Sequence, residues 1–320
     1  MKPPPAVETV KRGDVGTLND ANQVLSGTSK KGWLAQLLPF LGPAFIASVT
    51  LIHLIERNAP PAVHGERHLT NPAEAQAYLE QVARRDFPPA LPVERHVHTT
   101  EVSDVARSLA EHAAELEPDL IVMCTHGRGG LRDWLFGSIA QQVIALGTTP
   151  VLLIRPTPSG GAPPFACRMI LVPLDGDPAH EEGLPVSAAL ARACAGALHL
   201  VMVIPTLGTL SGEEAATGML MPLATKALLE LEHQNAEDYL SRLTAPLSSS
   251  GLEVTTEVVR GDPAGNLLST ARRVGADLIV LGTHRKTGLE AFWAGSIGPR
   301  MSNRSHAPLL LLPLPRAEPN

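Results

Sequence analysis

The chain has 320 residues, 44% of them hydrophobic and 18% charged, which is enough apolar material for two ordinary domains and rules out wholesale disorder. Its 26 Lys and Arg against 32 Asp and Glu give a formal charge of −6. With only 3 Trp, 2 Tyr and 6 Phe, it has neither the clustered cations nor the aromatic platform of a general nucleic-acid binder. Cys124, Cys167 and Cys194 form no CxxC pair, which excludes a thiolate zinc knuckle and a disulfide framework and fits a reducing, cytoplasmic setting.

In chain order, residues 1–32 form a poorly defined N-terminal segment. Within it "AVETVKR" (6–12) is at best a poor strand, charged where a central strand should be apolar. From Gly32 to Ile55 there is no Asp, Glu, Lys or Arg. The run is long enough to span a bilayer, which takes about 20 apolar residues. Pro39, Gly42 and Pro43 cut it in the middle, however, so it reads as a helix over about 33–41 and a buried strand over about 45–55. No membrane span is expected. It also starts too late, and lacks the small-residue cleavage site, for a signal peptide.

An internal repeat organises the rest. Residues 119–153 lie over 277–311 without a gap, at a shift of 158, with 14 identities in 35 positions. Asp119/Asp277, Thr125/Thr283, His126/His284, Gly137/Gly295 and Ser138/Ser296 are among the matched pairs. The chain is therefore a tandem duplication joined by the hinge-like "RPTPSGGAPP" at 155–164. The second copy alternates strand and helix. Strands fall at 168–175, 198–204, 252–259, 277–282 and "PLLLLP" at 308–313, with helices at 179–195, 223–245 and 296–305. Asp262 is placed to cap a further helix that has Pro263 at its first position. Five strands with interleaved helices imply an open parallel α/β sheet, doubly wound in the Rossmann-like or flavodoxin-like manner, once in each copy. Domain limits of 33–155 and 168–315 follow, with 156–167 as linker.

Ligands of such sheets bind beyond the carboxyl ends of the strands, where strand order reverses. There the second copy carries Gly282-Thr283-His284-Arg285-Lys286-Thr287-Gly288, then Gly295-Ser296-Ile297 opening a helix. Glycines let backbone N–H groups turn inward, and a helix start offers unpaired donors, a combination suited to phosphate. The same stretch also reads as a plain strand-to-helix turn.

These residues resemble the universal stress protein (UspA-like) family, whose nucleotide-binding members carry G-x2-G-x9-G-[S/T] after the fourth strand. The second copy reads Gly282-x2-Arg285-x9-Gly295-Ser296 and the first Cys124-x2-Gly127-x9-Gly137-Ser138, each with one glycine lost. "ILVPLDG" (170–176) fits the family's first strand, with Asp175 at the position that meets adenosine, and Val203 matches the position whose backbone contacts adenine. The resemblance thus implies a stress-response regulatory protein binding ATP, or AMP or ADP, through Asp175, Val203, Gly282, His284, Arg285, Gly295, Ser296 and Ile297. Magnesium enters only as the nucleotide's counter-ion. It further implies dimer contacts through the fifth strands, "PVLLI" (150–154) and "PLLLL" (308–312), within the chain or between copies. Sliding the first strand back by 158 lands on "KRGDVGTL" (11–18), no buried strand, so the first copy is expected to lack strand one and, despite Gly127, Gly137 and Ser138, to hold an incomplete site. The alternative is a family member that binds no nucleotide, its phosphate loop blocked by Arg285, and acts through protein interaction.

Other chemistry finds little support. No GxxxxGK[ST], HExxH or G-x-S-x-G occurs, no general base stands out near the glycine loop, and no catalytic residue is assigned; slow ATP hydrolysis is the most that is expected. His96 and His98 alternate on one strand face and His64 and His68 sit in a loop, but no carboxylate or thiolate closes a ligand set, so surface histidines and no metal are expected. His126 and His284 are expected to hydrogen-bond their loops. The three cysteines read as small buried hydrophobes, and Lys226, Glu230 and His233 as a solvated helix face.

Overall fold

A computed structural model of the chain describes residues 7–11, 48–59, 62–63, 66–124, 136–154, 167–210, 212–283, 300–301 and 304–313. In order, the elements are β1 (Val7–Lys11), β2 (Ser48–Glu56), a short hairpin of β3 (Ala62–Val63) and β4 (Glu66–Arg67), α1 (Pro72–Asp86), β5 (Val93–Val102), α2 (Val105–Leu116), β6 (Leu120–Cys124), α3 (Phe136–Leu146) and β7 (Val151–Ile154). There follow β8 (Met169–Leu174), α4 (Gly183–Ala193), β9 (Ala197–Ile204), α5 (Gly212–Leu220), α6 (Pro222–Ser249), β10 (Glu253–Arg260), α7 (Pro263–Val274), β11 (Leu278–Thr283) and β12 (Leu309–Pro313).

The chain divides into two compact units. Among the described residues the first takes everything up to 154 together with Thr283 and 308–313, and the second takes 167–282 with the described residues of 300–307. The second unit is ordered β10-β9-β8-β11, all parallel. The first is ordered β12-β7-β6-β1-β2-β5. There β6 and β7 are parallel, as are β2 and β5, while β12 runs antiparallel to β7 with Leu310 opposite Leu152.

Central strands read as continuous apolar runs because helices cover both faces. Val49, Leu51 and Ile52 in β2, Ile170 and Leu171 in β8, and Leu198, Leu200 and Val201 in β9 are all buried. The outer strands β5 and β10 are polar and half-exposed. His53 interrupts the apolar run of β2, and its Nε2 meets the Leu69 carbonyl at 3.0 Å; burial pushes its pKa down. The strand expected over 45–55 is thus β2, while the expected helix 33–41 lies outside the described residues. No helix among the described residues is long and apolar enough to cross a membrane.

The central position of the first unit is its main surprise. The slot that β8 fills between β9 and β11 is filled in the first unit by β1, between β6 and β2. Segment 6–12 does stand in for the missing strand, but it runs antiparallel to both neighbours, with Thr9 opposite Thr50 on one side and Ile121 on the other. Among the described residues this slot thus receives the backbone pairing that β8 supplies in the second unit, but from a strand of opposite direction.

The repeat persists at the level of helix caps. Asp104 accepts the Arg107 N–H at 2.9 Å ahead of α2, and Asp262 accepts the Gly265 N–H at 2.8 Å ahead of α7. Asp262 also receives both Arg300 nitrogens, at 2.6 and 2.8 Å, and this guanidinium holds its carboxyl below the usual range. Both helices end on a left-handed residue, Glu117 (φ 46°) and Gly275 (φ 67°). Elsewhere the expected helix 179–195 begins as a 3-10 turn at Pro178–His180, and α5 was not foreseen. Cys167 is buried as expected, and Cys194 is half-buried. A hydrogen bond from the Cys167 thiol to Cys194, and then burial, push the Cys167 thiol up. Lys226 and Glu230 are exposed as expected, Glu230 meeting Arg260 at 2.7 Å, whereas His233 is partly buried.

Two outcomes follow. Thr9→Pro removes a ladder donor from a strand with no free edge, so hydrogen exchange should show amides of β1, β2 and β6 losing protection while those of β8 to β11 do not. Glu117→Gly relieves a left-handed conformation that costs an L-residue roughly 1–2 kcal/mol, against a smaller loss of chain entropy. Urea denaturation should show the variant more stable by about 0.5–1 kcal/mol.

Candidate functional site

In the second unit the chain lays β8, β9 and β10 side by side in one direction and then places β11 on the opposite flank of β8. Strand order therefore reverses at β8, and the crevice for a ligand opens at its carboxyl end. Leu174 ends β8 opposite Met202 of β9, which brings Asp175 level with Val203. On the other flank Ile279 pairs with Leu171, and that register carried forward brings Gly282 level with Leu174. Three sequence-predicted residues, Asp175, Val203 and Gly282, thus converge on one sheet edge. Gly282 is the exposed position of an otherwise buried β11, so bare main chain faces solvent there.

Asp175 is held by its own loop. Oδ1 accepts the Asp177 N–H at 3.0 Å, and Oδ2 lies 2.5 Å from His180 Nδ1. His180 Nε2 is 3.7 Å from Asp177. Gly176 makes the turn with φ 86°, and a Cβ there would come 3.3 Å from the Met202 methyl. Just beyond, Tyr239 donates to Glu181 at 2.8 Å; burial, then Glu181 and the nearby Asp175 and Asp177 charges, push the phenol up. This corner is acidic, so it suits hydroxyl groups rather than phosphate. With its side chain 57% exposed, Asp175 keeps acceptor sites beyond the two already used.

Of the remaining expected residues, His284, Arg285, Gly295, Ser296, Ile297, Gly127 and the loop histidine His126 lie outside the described residues. Gly137 and Ser138 fall in the opening turn of α3, just after Phe136, which gives the first unit a helix after β6 as expected. Its first strand is the difference. Because β1 is antiparallel, its N-terminal end at Val7, and not its C-terminal end, meets the carboxyl edge. Sequence reasoning missed His180, Glu181 and Tyr239. The Asp175-x-Asp177-x-x-His180 spacing was the available signal, since it returns the imidazole to the carboxylates after one tight turn.

A doubly wound α/β module whose strand order reverses at an Asp-ended first strand, in a chain whose sequence repeats at a shift of 158, places the chain among tandem flavodoxin-like proteins. More particularly, it belongs to the universal stress protein family, whose model matches residues 34–155 and again 167–313. A universal stress protein of Methanocaldococcus jannaschii is 29% identical over 154 residues, 47% of this chain and 85% of that protein. One of Mycobacterium tuberculosis H37Rv is 26% identical over 205 residues, 62% of this chain and 59% of that protein, so less than two thirds of the mycobacterial relative is spanned. Among solved structures, a universal stress protein of Archaeoglobus fulgidus has a TM-score of 0.63 at 15% identity, covering 88% of this chain and 91% of that one. That likeness supports the fold.

Gly176→Ala should cost roughly 1–2 kcal/mol of stability, because the left-handed φ strains an L-residue while the flexible Met202 gives way. Urea unfolding measures it; an unchanged midpoint would mean that the turn does not depend on this backbone conformation.

Proposed function

We propose that this protein is a cytoplasmic stress-response regulator that binds ATP, or a related adenine nucleotide such as ADP or AMP, at the carboxyl edge of its second unit. The convergence of Asp175, Val203 and Gly282 at the reversal of strand order carries the reading. In it, the spare acceptors of Asp175 receive the ribose hydroxyls and the Val203 main chain meets adenine. Gly282 opens a phosphate loop continued by His284, Arg285, Gly295, Ser296 and Ile297, with magnesium as counter-ion to the phosphates. The first unit, whose antiparallel β1 presents its N-terminal end at that edge, contributes at most a vestigial site through Gly127, Gly137 and Ser138. Binding here is regulatory, and no residue is assigned to catalysis.

A second reading draws on two observations. The Asp175 carboxylate is already engaged by Asp177 and His180, and β12 forms an antiparallel ladder with β7. In that reading Arg285 fills the phosphate loop, and the protein is an interaction scaffold, alone or as a homodimer through these last strands.

Titration with a fluorescent ATP analogue separates the two. Saturable binding by the wild type, weakened about tenfold or more in Asp175→Ala, is expected for loss of a hydrogen bond to a charged group. Equal affinity in the two proteins would remove Asp175 from the site. Binding that emerges only in Arg285→Gly would establish the scaffold reading.

A further inference from the structure

His96 and His98 lie two residues apart on β5, hence on one face of the strand. His112 belongs to the buried face of α2, with Leu109 and Ala113. The expectation of solvated surface histidines fails here, for the three side chains meet. One ring nitrogen from each lies within 4.8 Å of the other two, and the rings of His96 and His98 each stand edge-on to His112 at centroid distances of 4.9 Å.

Their hydrogen bonding suits ligation. His112 Nδ1 donates to the Ser108 carbonyl at 2.7 Å, which in the neutral ring leaves the lone pair on Nε2. His96 Nε2 is buried and has no hydrogen-bond partner. Burial, followed by the neighbouring His112 and His98, lowers the pKa of His96 against the pull of Glu115. An open depression of about 430 Å3 is lined by His96 together with Thr50 and Val93.

The fold does not ask for these imidazoles. The shift of 158 that aligns the repeat also lays α2 on α7 end to end, and puts Val254, Thr256 and Thr270 where the first unit has His96, His98 and His112. Thr270 occupies the same buried helix position as His112, at 2% exposure against 7%. One copy fills the place with small uncharged residues, and the other gathers three nitrogen ligands there.

We propose that His96, His98 and His112 form a binding site for a divalent first-row transition-metal ion, Zn2+ foremost, with solvent completing the coordination. Three atoms no more than 4.8 Å apart share a centre about 2.8 Å or less from each, so side-chain movements under roughly 1 Å reach the Zn–N distance of about 2.0–2.1 Å. Three neutral imidazoles favour zinc, cobalt, nickel or copper over magnesium and calcium, which prefer oxygen. Glu115, one turn after His112 on α2, supplies opposing charge to the ion. The site belongs to the first unit and is independent of the nucleotide reading.

The test uses the full-length chain stripped of metal with chelator, titrated with Zn2+ by calorimetry and with Co2+ by visible absorption. One ion per chain is expected, together with ligand-field bands for Co2+ and a rise in Tm on adding Zn2+. His98→Thr and His112→Thr, which install the second copy's residues, should weaken uptake by more than the roughly 10–100-fold that loss of a metal-ligating histidine's hydrogen-bond partner costs. His233→Asn, on α6, should leave uptake unchanged. Should His112→Thr fail to fold by circular dichroism, His98→Thr on the outer strand decides. Absence of saturable uptake by the wild type, or uptake that survives replacement of all three histidines, overturns the site.

Discussion

A strand flanked on both sides must have its backbone donors and acceptors met along both edges, and that requirement shapes this protein more than any side chain does. In each unit the position between the second and fourth strands has to be filled, or two apolar strand edges stand open. The second unit fills it with the buried apolar run of β8, the first with β1, whose sequence VETVK hardly qualifies. Pairing suffices to close the sheet in either direction. What direction changes is the chemistry at the end of the strand. A parallel β8 hands Asp175 to the ligand edge, whereas an antiparallel β1 turns its C-terminal end the other way.

The two copies have kept what the fold needs and diverged where it is indifferent. Capping aspartates at 104 and 262 satisfy the same orphan N–H groups, so both remain. The left-handed helix ends at 117 and 275 persist as well, although only one copy eases the strain with glycine. By contrast the inner face of the outer strand and its covering helix tolerates either Val254, Thr256 and Thr270 or three histidines. A half-buried site beside an outer strand makes fewer packing demands than the middle of the sheet, which leaves such places open to new chemistry. The proposed nucleotide edge and the histidine cluster accordingly fall in different copies.

Much of this was legible beforehand. A gap-free repeat with matched Asp, Thr, His, Gly and Ser residues identified the duplication and the family, and buried apolar runs located β2, β8, β9, β11 and β12. The Asp262–Pro263 pair located α7. Direction was not legible in segment 6–12, because a period-2 pattern tells which face a side chain takes and says nothing about which way its neighbours run. The histidine cluster was half legible. His96 and His98 share a strand face by simple alternation, whereas His112 joins them only through the packing of a helix 14 residues further along the chain, counted from His98. A histidine in the apolar row of α2, beside Leu109 and Ala113, was the available signal, since an imidazole at a core-facing helix position needs a partner.

Asp175 shows why one residue supports two readings at once. As a turn former it accepts the Asp177 N–H and meets His180, and these contacts would arise in a fold that bound nothing. As a ligand it needs only the lone pairs left over, and a carboxylate offers about four. The two roles do not compete. A carboxylate free to rotate would lose side-chain entropy on meeting a ribose, whereas one already fixed by Asp177 and His180 has met that cost in folding. The hydrogen bonds that tie Asp175 down are therefore compatible with an inert turn, and they are equally what preorganisation for a sugar hydroxyl requires. Fixing the carboxylate beside the main chain of Val203 and Gly282 gives the nucleotide-binding reading its physical content.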